Sequence, residues 1–142
     1  VAKKEVGEIP FLKQVFACMK AFIIDREDLK QSMQVIVNVI REVKAGRNYL
    51  IFPEGTRSKQ GNHPGPFKGG SFKTATKTKC PIVPVALIDS FKAFDTGSTE
   101  RITVQVHILP PMYYEEYKDM HTTELAEEVK RRIEKVIEEN IM

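Results

Sequence analysis

The 142 residues carry 22 basic and 19 acidic side chains, and a net charge of +3 is too small to mark a nucleic-acid binder. A hydrophobic share of 42% and a charged share of 29% are ordinary for a soluble globular chain able to bury one core. Two cysteines, Cys18 and Cys80, are no disulfide framework and no metal-ligand cluster stands out, so a reducing cytosolic environment fits best. No apolar run approaches the roughly 18 residues of a membrane span.

Strand and helix alternate along the chain. Pro10 fits the first turn of a helix whose buried stripe is Leu12, Val15, Phe16 and Met19, with Cys18 as a small hydrophobe on that apolar face. A short strand, Ala21 to Asp25, follows. Asp28 is placed to cap a long helix with Leu29, Met33, Ile36, Ile40 and Val43 inward and Gly46 as its stop. Tyr49 to Phe52 reads as a buried strand. Gly70 to Lys79 reads as a short helix with a basic face, and Ile82 to Ile88 as a strand whose Pro84 calls for an edge or a bulge. Asp89 to Glu100 is a polar connection. Arg101 to Leu109 alternates, predicting Ile102, Val104, Val106 and Ile108 inward and Thr103, Gln105 and His107 outward. Pro110-Pro111 ends that strand. A last helix from about Thr122 sets Leu125, Val129, Ile133, Val136 and Ile137 on one face and a solvated charged face opposite.

Chemistry concentrates in Phe52-Pro53-Glu54-Gly55-Thr56-Arg57-Ser58. A strand that empties into these residues delivers a carboxylate, a glycine and a guanidinium to one sheet edge, where open α/β sheets bind ligands. Arg57 offers a planar fork to a phosphate or carboxylate, and Gly55 lets backbone amides approach the same anion. A surface ion pair on a turn is the plainer reading of such a run. From Gly55 through Ile88 there is no acidic residue, while Arg57, Lys59, Lys68, Lys73, Lys77 and Lys79 are basic. That segment carries a positive potential suited to phosphates or an anionic membrane surface.

The heptapeptide resembles the third signature block of the glycerolipid acyltransferases, in particular the 1-acyl-glycerol-3-phosphate (lysophosphatidic acid) acyltransferases. Ala2-Lys3-Lys4-Glu5-Val6 with Ile9-Pro10-Phe11 resembles the family's Lys-x-Glu segment, Phe22-Ile23-Ile24-Asp25-Arg26 its second block, and Ile82-Val83-Pro84-Val85-Ala86 its fourth. The family often has Gly shortly before Asp-Arg, where this chain has Lys20-Ala21. The family's first block, Asn-His-x4-Asp, supplies the catalytic base and is not matched. The residue five on from His63 is Lys68, from His107 Met112 and from His121 Ala126, and Asn62-His63-Pro64 reads as a turn.

The resemblance implies a mixed α/β fold with a largely parallel sheet flanked by helices, residues 1–142 forming one acyltransferase domain that lacks the upstream catalytic block. It implies transfer of an acyl group from an acyl thioester to the sn-2 hydroxyl of lysophosphatidic acid. Acyl-CoA or acyl carrier protein is the expected donor, with no metal or other cofactor. The expected partners are a lysophospholipid acceptor and an anionic membrane surface on the cytoplasmic face, with no nucleic acid. No catalytic residue is assigned within the chain. Substrate binding is assigned to Arg26, Glu54, Gly55, Thr56, Arg57 and Lys3, with Lys4 an adjacent candidate. Glu54 has two readings, accepting from an acceptor hydroxyl or holding an arginine in place. Arg26 reads as a second phosphate ligand, an ion pair with Asp28 or a helix cap. A different class also fits: a non-catalytic module that binds phosphate-headgroup lipids. A nucleic-acid-binding domain ranks last, since Phe67 and Phe72 look like core anchors rather than exposed stacking platforms.

Overall fold

A computed structural model describes residues 2–3, 9–24, 28–95, 97 and 99–141, with the side chains of 2, 3, 29, 94 and 95 outside that description. Contacts gather into two compact units, Val1–Ile51 and Phe52–Met142.

In the first unit β1 (Ala2–Lys3) pairs in parallel with β2 (Ile23–Ile24), Ala2 beside Ile23 and Lys3 beside Ile24. Helix α1 (Pro10–Cys18) starts on Pro10, as expected of a residue with no amide hydrogen to satisfy. It ends in a tight backbone wrap: the Lys20 amide donates to the Ala17 carbonyl (3.1 Å) and the Ala21 amide to that of Phe16 (2.9 Å). This wrap requires a left-handed residue, normally glycine, and Lys20 takes it at φ +50°. The lysine that departs from the family pattern thus sits in a conformation that favours Gly. Its stripe differs from expectation. Leu12, Val15 and Phe16 are half-buried, but Cys18 and Met19 are exposed because the helix ends there and the chain turns away.

Helix α2 (Leu29–Lys44) is capped by Asp28, whose carboxylate accepts the Gln31 amide at 3.0 Å. Gly46 stops it at φ +89°, with the Gly46 and Arg47 amides donating to the Val43 and Glu42 carbonyls. The helix packs on β2. The most buried residues are Val35 and Val39, with Ile36, Ile40 and Val43 half-buried, while Met33 of the expected stripe is exposed. The inward face is rotated by about one residue, because a face of apolar side chains wider than the contact leaves the choice of centre to the neighbour. Tyr49–Phe52 enters neither strand pair, contrary to expectation. Within the first unit the Tyr49 ring stacks on Phe22, centroids 5.8 Å apart.

In the second unit a 3₁₀ turn (Gly69–Phe72) leads into α3 (Lys73–Thr78), matching the short helix expected there, and Lys79 ends it at φ +58°. Strands β3 (Val85–Ile88) and β4 (Gln105–Ile108) pair antiparallel, with Val85 opposite Ile108 and Ile88 opposite Gln105. Helix α4 (Lys92–Asp95) interrupts the connection between them, and α5 (Tyr114–Tyr117) and α6 (Thr122–Asn140) follow. Pro84 has no amide for the ladder, yet its carbonyl accepts the Leu109 amide (3.0 Å). Pairing resumes between Ile82 and Met112, so three steps from Leu109 oppose two from Pro84, which makes a bulge.

Helix α6 packs across the 3₁₀ turn and β3. Its buried stripe, Leu125, Ala126, Val129, Ile133 and Ile137, meets Phe72, Ala86, Ile88 and Met112. A Cβ on Gly69 would lie 3.2 Å from the Thr122 backbone, so a side chain there would crowd the start of α6. Tyr117 is fully buried and its hydroxyl donates to the Cys80 carbonyl at the end of α3; burial pushes the phenol up to about 12. The opposite face of α6 is laced by ion pairs, with Glu128 held down to about 2 by hydrogen bonds from Arg131 and Arg132.

The alternation of β4 is reversed. Val106 and Ile108 are 58% and 75% exposed, whereas Gln105 and His107 share the face of Ala86 and Ile88 and bond to each other at 3.1 Å. Register with β3 decides this: Ala86 and Ile88 must lie under α6, and their partners on β4 inherit that face.

The strained αL position yields the first test. Lys20→Gly should raise stability by about 0.5–1 kcal/mol in denaturant unfolding, since glycine carries no Cβ penalty at φ +50°. No gain would mean that the lysine side chain itself holds the turn.

Candidate functional site

The signature run opens a loop that closes on itself within the second unit. The Gly55 amide donates to the Phe52 carbonyl (3.2 Å), a tight turn with Gly55 at φ +70°. The Lys68 amide donates to the Pro53 carbonyl (2.9 Å), tying the two ends of the loop together. The Glu54 carboxylate reaches across and accepts the Gly65 amide at 2.6 Å. A side chain at Gly65 would meet that carboxylate at 3.1 Å.

The middle of the loop is held as firmly. Ser58 Oγ donates to the His63 carbonyl (2.5 Å) and accepts the Gln60 amide (3.1 Å). Asn62 makes a reciprocal pair with Asp89 at the end of β3: its Nδ2 donates to Asp89 Oδ1 (3.0 Å) and its Oδ1 accepts the Asp89 amide (2.7 Å). Gly61, at φ +64°, lies against the Phe91 ring. Asp89 also pairs with Lys92 at 2.8 Å, and hydrogen bonds from Lys92 and Asn62 hold its carboxyl below the ordinary aspartate value. Asn62-His63 thus belongs to a turn, with Asn62 working as a latch to β3.

With the loop closed in this way, Glu54 and Gly55 are half-buried while Thr56 and Arg57, next along the run, are exposed. Neither sequence reading of Glu54 included what the structure shows, a carboxylate satisfying the loop's own backbone. Lys68 was legible only as one of several basic residues; its place at the foot of the loop comes from the Pro53 tie. Lys3 has its backbone beside Ile24 in the first unit, its side chain lying outside the described residues, as do Lys4 and Arg26 altogether. Lys73 and Lys77 stand exposed four residues apart on α3, and Lys79 lies over the Tyr114 ring at 5.3 Å.

A mixed α/β framework carrying this loop is an acyltransferase architecture. The Acyltransferase family profile matches residues 1–88, and the chain belongs to that family. It is 33% identical over 129 residues to the 1-acyl-sn-glycerol-3-phosphate acyltransferase of Helicobacter pylori, covering 84% of this chain and 54% of the relative. It is 32% identical over 140 residues to the enzyme of the same name from Salmonella typhimurium, covering 98% and 57%. The chain therefore spans about half the length of the curated relatives it matches. Its fold is like that of the 1-acyl-sn-glycerophosphate (LPA) acyltransferase PlsC from Thermotoga maritima, with a TM-score of 0.78 at 24% identity over 97% of this chain and 54% of that one. The expected mixed α/β fold is borne out; among the described residues it holds one parallel and one antiparallel pair.

The Asn62 latch makes a local prediction. Asn62→Ala should leave the α6 core intact but speed amide exchange from Gly61 to Lys68, at a cost of about 1–3 kcal/mol for the hydrogen bonds to the Asp89 carboxylate and amide. Because the folded Asp89 pKa is lowered, its contribution is present above the unfolded value and lost as pH falls through the folded one. The difference between the variant and the parent should therefore be level at neutral pH and shrink only in acid. A uniform rise in exchange across α6 would contradict a local latch.

Proposed function

We propose that this chain is the acceptor-binding part of an enzyme that moves an acyl group from an acyl thioester to the sn-2 hydroxyl of lysophosphatidic acid, forming phosphatidic acid. The observation that carries the reading is the closed loop of Phe52–Lys68 with Arg57 exposed on it, in a member of the Acyltransferase family. The relatives' shared name supports the acceptor.

A hydroxyl is a poor nucleophile at neutral pH and needs a base on its proton. No histidine of this chain stands in a His-x4-Asp pattern, and His63 is engaged through its backbone in the loop turn. The work left to these residues is to hold the phosphate-bearing acceptor in place, a contribution of proximity and orientation. Arg57 binds the phosphate through paired hydrogen bonds, and Arg26 and Lys3 are the further phosphate ligands that the family resemblance implies. Glu54, Gly55 and Thr56 shape the loop that carries the guanidinium. The donor is acyl-CoA or acyl carrier protein, and the setting is the cytoplasmic face of a membrane, from which a lysophospholipid has to be collected.

These 142 residues alone should show no acyl transfer, whereas a version extended upstream by a His-x4-Asp block should be active. In that version Arg57→Ala should cost about 2–4 kcal/mol in kcat/KM for the acceptor, and Arg57→Lys should restore it only partly, because an ammonium lacks the bidentate fork. Turnover by the 142 residues, or unchanged acceptor kinetics in Arg57→Ala, would overturn the assignment. Phosphate-headgroup binding without transfer in the extended version would favour the non-catalytic module.

The basic face of α3 adds a second measurement. Charge reversal at Lys73 and Lys77 should weaken binding to anionic vesicles in a salt-dependent way if this face meets the bilayer. A raised KM for the acyl donor in detergent micelles would instead place the donor's phosphates there. No change in either would leave the face merely solvated.

A further inference from the structure

Besides Arg57 and Lys59, the loop carries a third cation, Lys68, whose side chain runs back to the signature run. A Cβ placed on Gly55 would lie 3.1 Å from Lys68 Nζ, 3.4 Å from its Cε and 3.6 Å from its Cδ. The end of the lysine side chain therefore runs across the bare face of Gly55, inside the Glu54-Gly55-Thr56-Arg57 run. Its own amide is tied to the Pro53 carbonyl at 2.9 Å, so backbone and ammonium are both referred to the same turn. Lys68 is exposed, and Glu54, the one carboxylate between Phe52 and Lys68, is turned to the Gly65 amide. A lysine thirteen residues beyond Gly55 in sequence is brought against Gly55 by the loop's closure.

We propose that Lys68 is a specificity-determining residue of the acceptor site, its ammonium supplying the second positive charge that a phosphomonoester headgroup needs. The inference rests on the proposed function above and deepens it. A phosphomonoester has a second ionisation near pH 6 and carries about −1.5 to −2 at neutral pH, whereas a phosphodiester carries a single charge. A guanidinium matches one negative charge with a bidentate pair, and a compact ammonium beside it matches the other as a point charge. Lys68 then favours acceptors with a terminal phosphate over lysophospholipids whose phosphate bears a further headgroup. It also gives Gly55 a second reason to lack a side chain: a Cβ there would crowd the end of the lysine by a few tenths of an ångström.

The test uses the version extended upstream, with 1-oleoyl lysophosphatidate and 1-oleoyl lysophosphatidylglycerol as acceptors. Lys68→Gln should raise KM for lysophosphatidate roughly tenfold with kcat little changed, the size of one lost charge-assisted hydrogen bond. It should leave lysophosphatidylglycerol kinetics within about twofold, so that the ratio of kcat/KM values falls. Lys68→Arg should restore the ratio, which a merely structural lysine would not require. If Lys68→Gln keeps the parent's ratio while Arg57→Ala loses acceptor use, the inference is overturned and the proposed function stands. If the parent transfers to neither acceptor while still hydrolysing or binding its donor, the proposed function falls and this inference with it.

Discussion

A carboxylate that spends itself on its own backbone organises the rest of the site. Glu54 accepts the Gly65 amide at 2.6 Å, a charge-assisted bond that closes an eleven-residue span without any contact to the core. A loop of this length left open would sample many positions, and a cation on it would have no fixed address. With Glu54 on Gly65, the Pro53 carbonyl on the Lys68 amide and Asn62 on Asp89, the loop is tied at three points within the second unit. Arg57 can then be solvent-exposed and still be held in place. The hydrogen bonds behind the exposed run supply an order that exposure alone would not.

The chain from this loop to the hydrophobic core is short. Lys68 ends the loop and precedes the 3₁₀ turn, Gly69 admits the backbone of α6 within van der Waals distance, and Phe72 enters the core beside Ala86, Ile88 and Leu125. Tyr117 closes the other side by reaching the Cys80 carbonyl from α5. On the far side of the loop, Asp89 follows directly on Ile88, which α6 buries, so the latch and the core share one strand. Stability of α6 packing and placement of Arg57 are consequently linked through two adjacent residues at each end.

The division of labour is chemical. A phosphate clamp contributes binding and orientation and does nothing to the pKa of the attacking hydroxyl; that needs a base, which no histidine pattern of this chain supplies. Family membership and the cationic loop thus bear on the binding half of the reaction proposed above.

By itself the sequence determined the helices with strong caps and long apolar periods: Asp28 and Gly46 bound α2, and the Leu125–Ile137 stripe identified the helix that covers the core. It also determined the family and the loop that carries its chemistry, since Phe-Pro-Glu-Gly-Thr-Arg-Ser is too specific a run for a chance turn. Only the tertiary structure decided which way β4 faces: its alternation predicts Val106 and Ile108 inward, and the register with Ala86 and Ile88, which go under α6, overrides it. The same holds for Tyr49–Phe52, whose β propensity is satisfied only if a neighbouring strand offers a ladder. It holds most of all for Glu54 and Lys68. Their partners lie eleven and fifteen residues away along the chain, and no local pattern encodes a contact that exists only once the loop has closed.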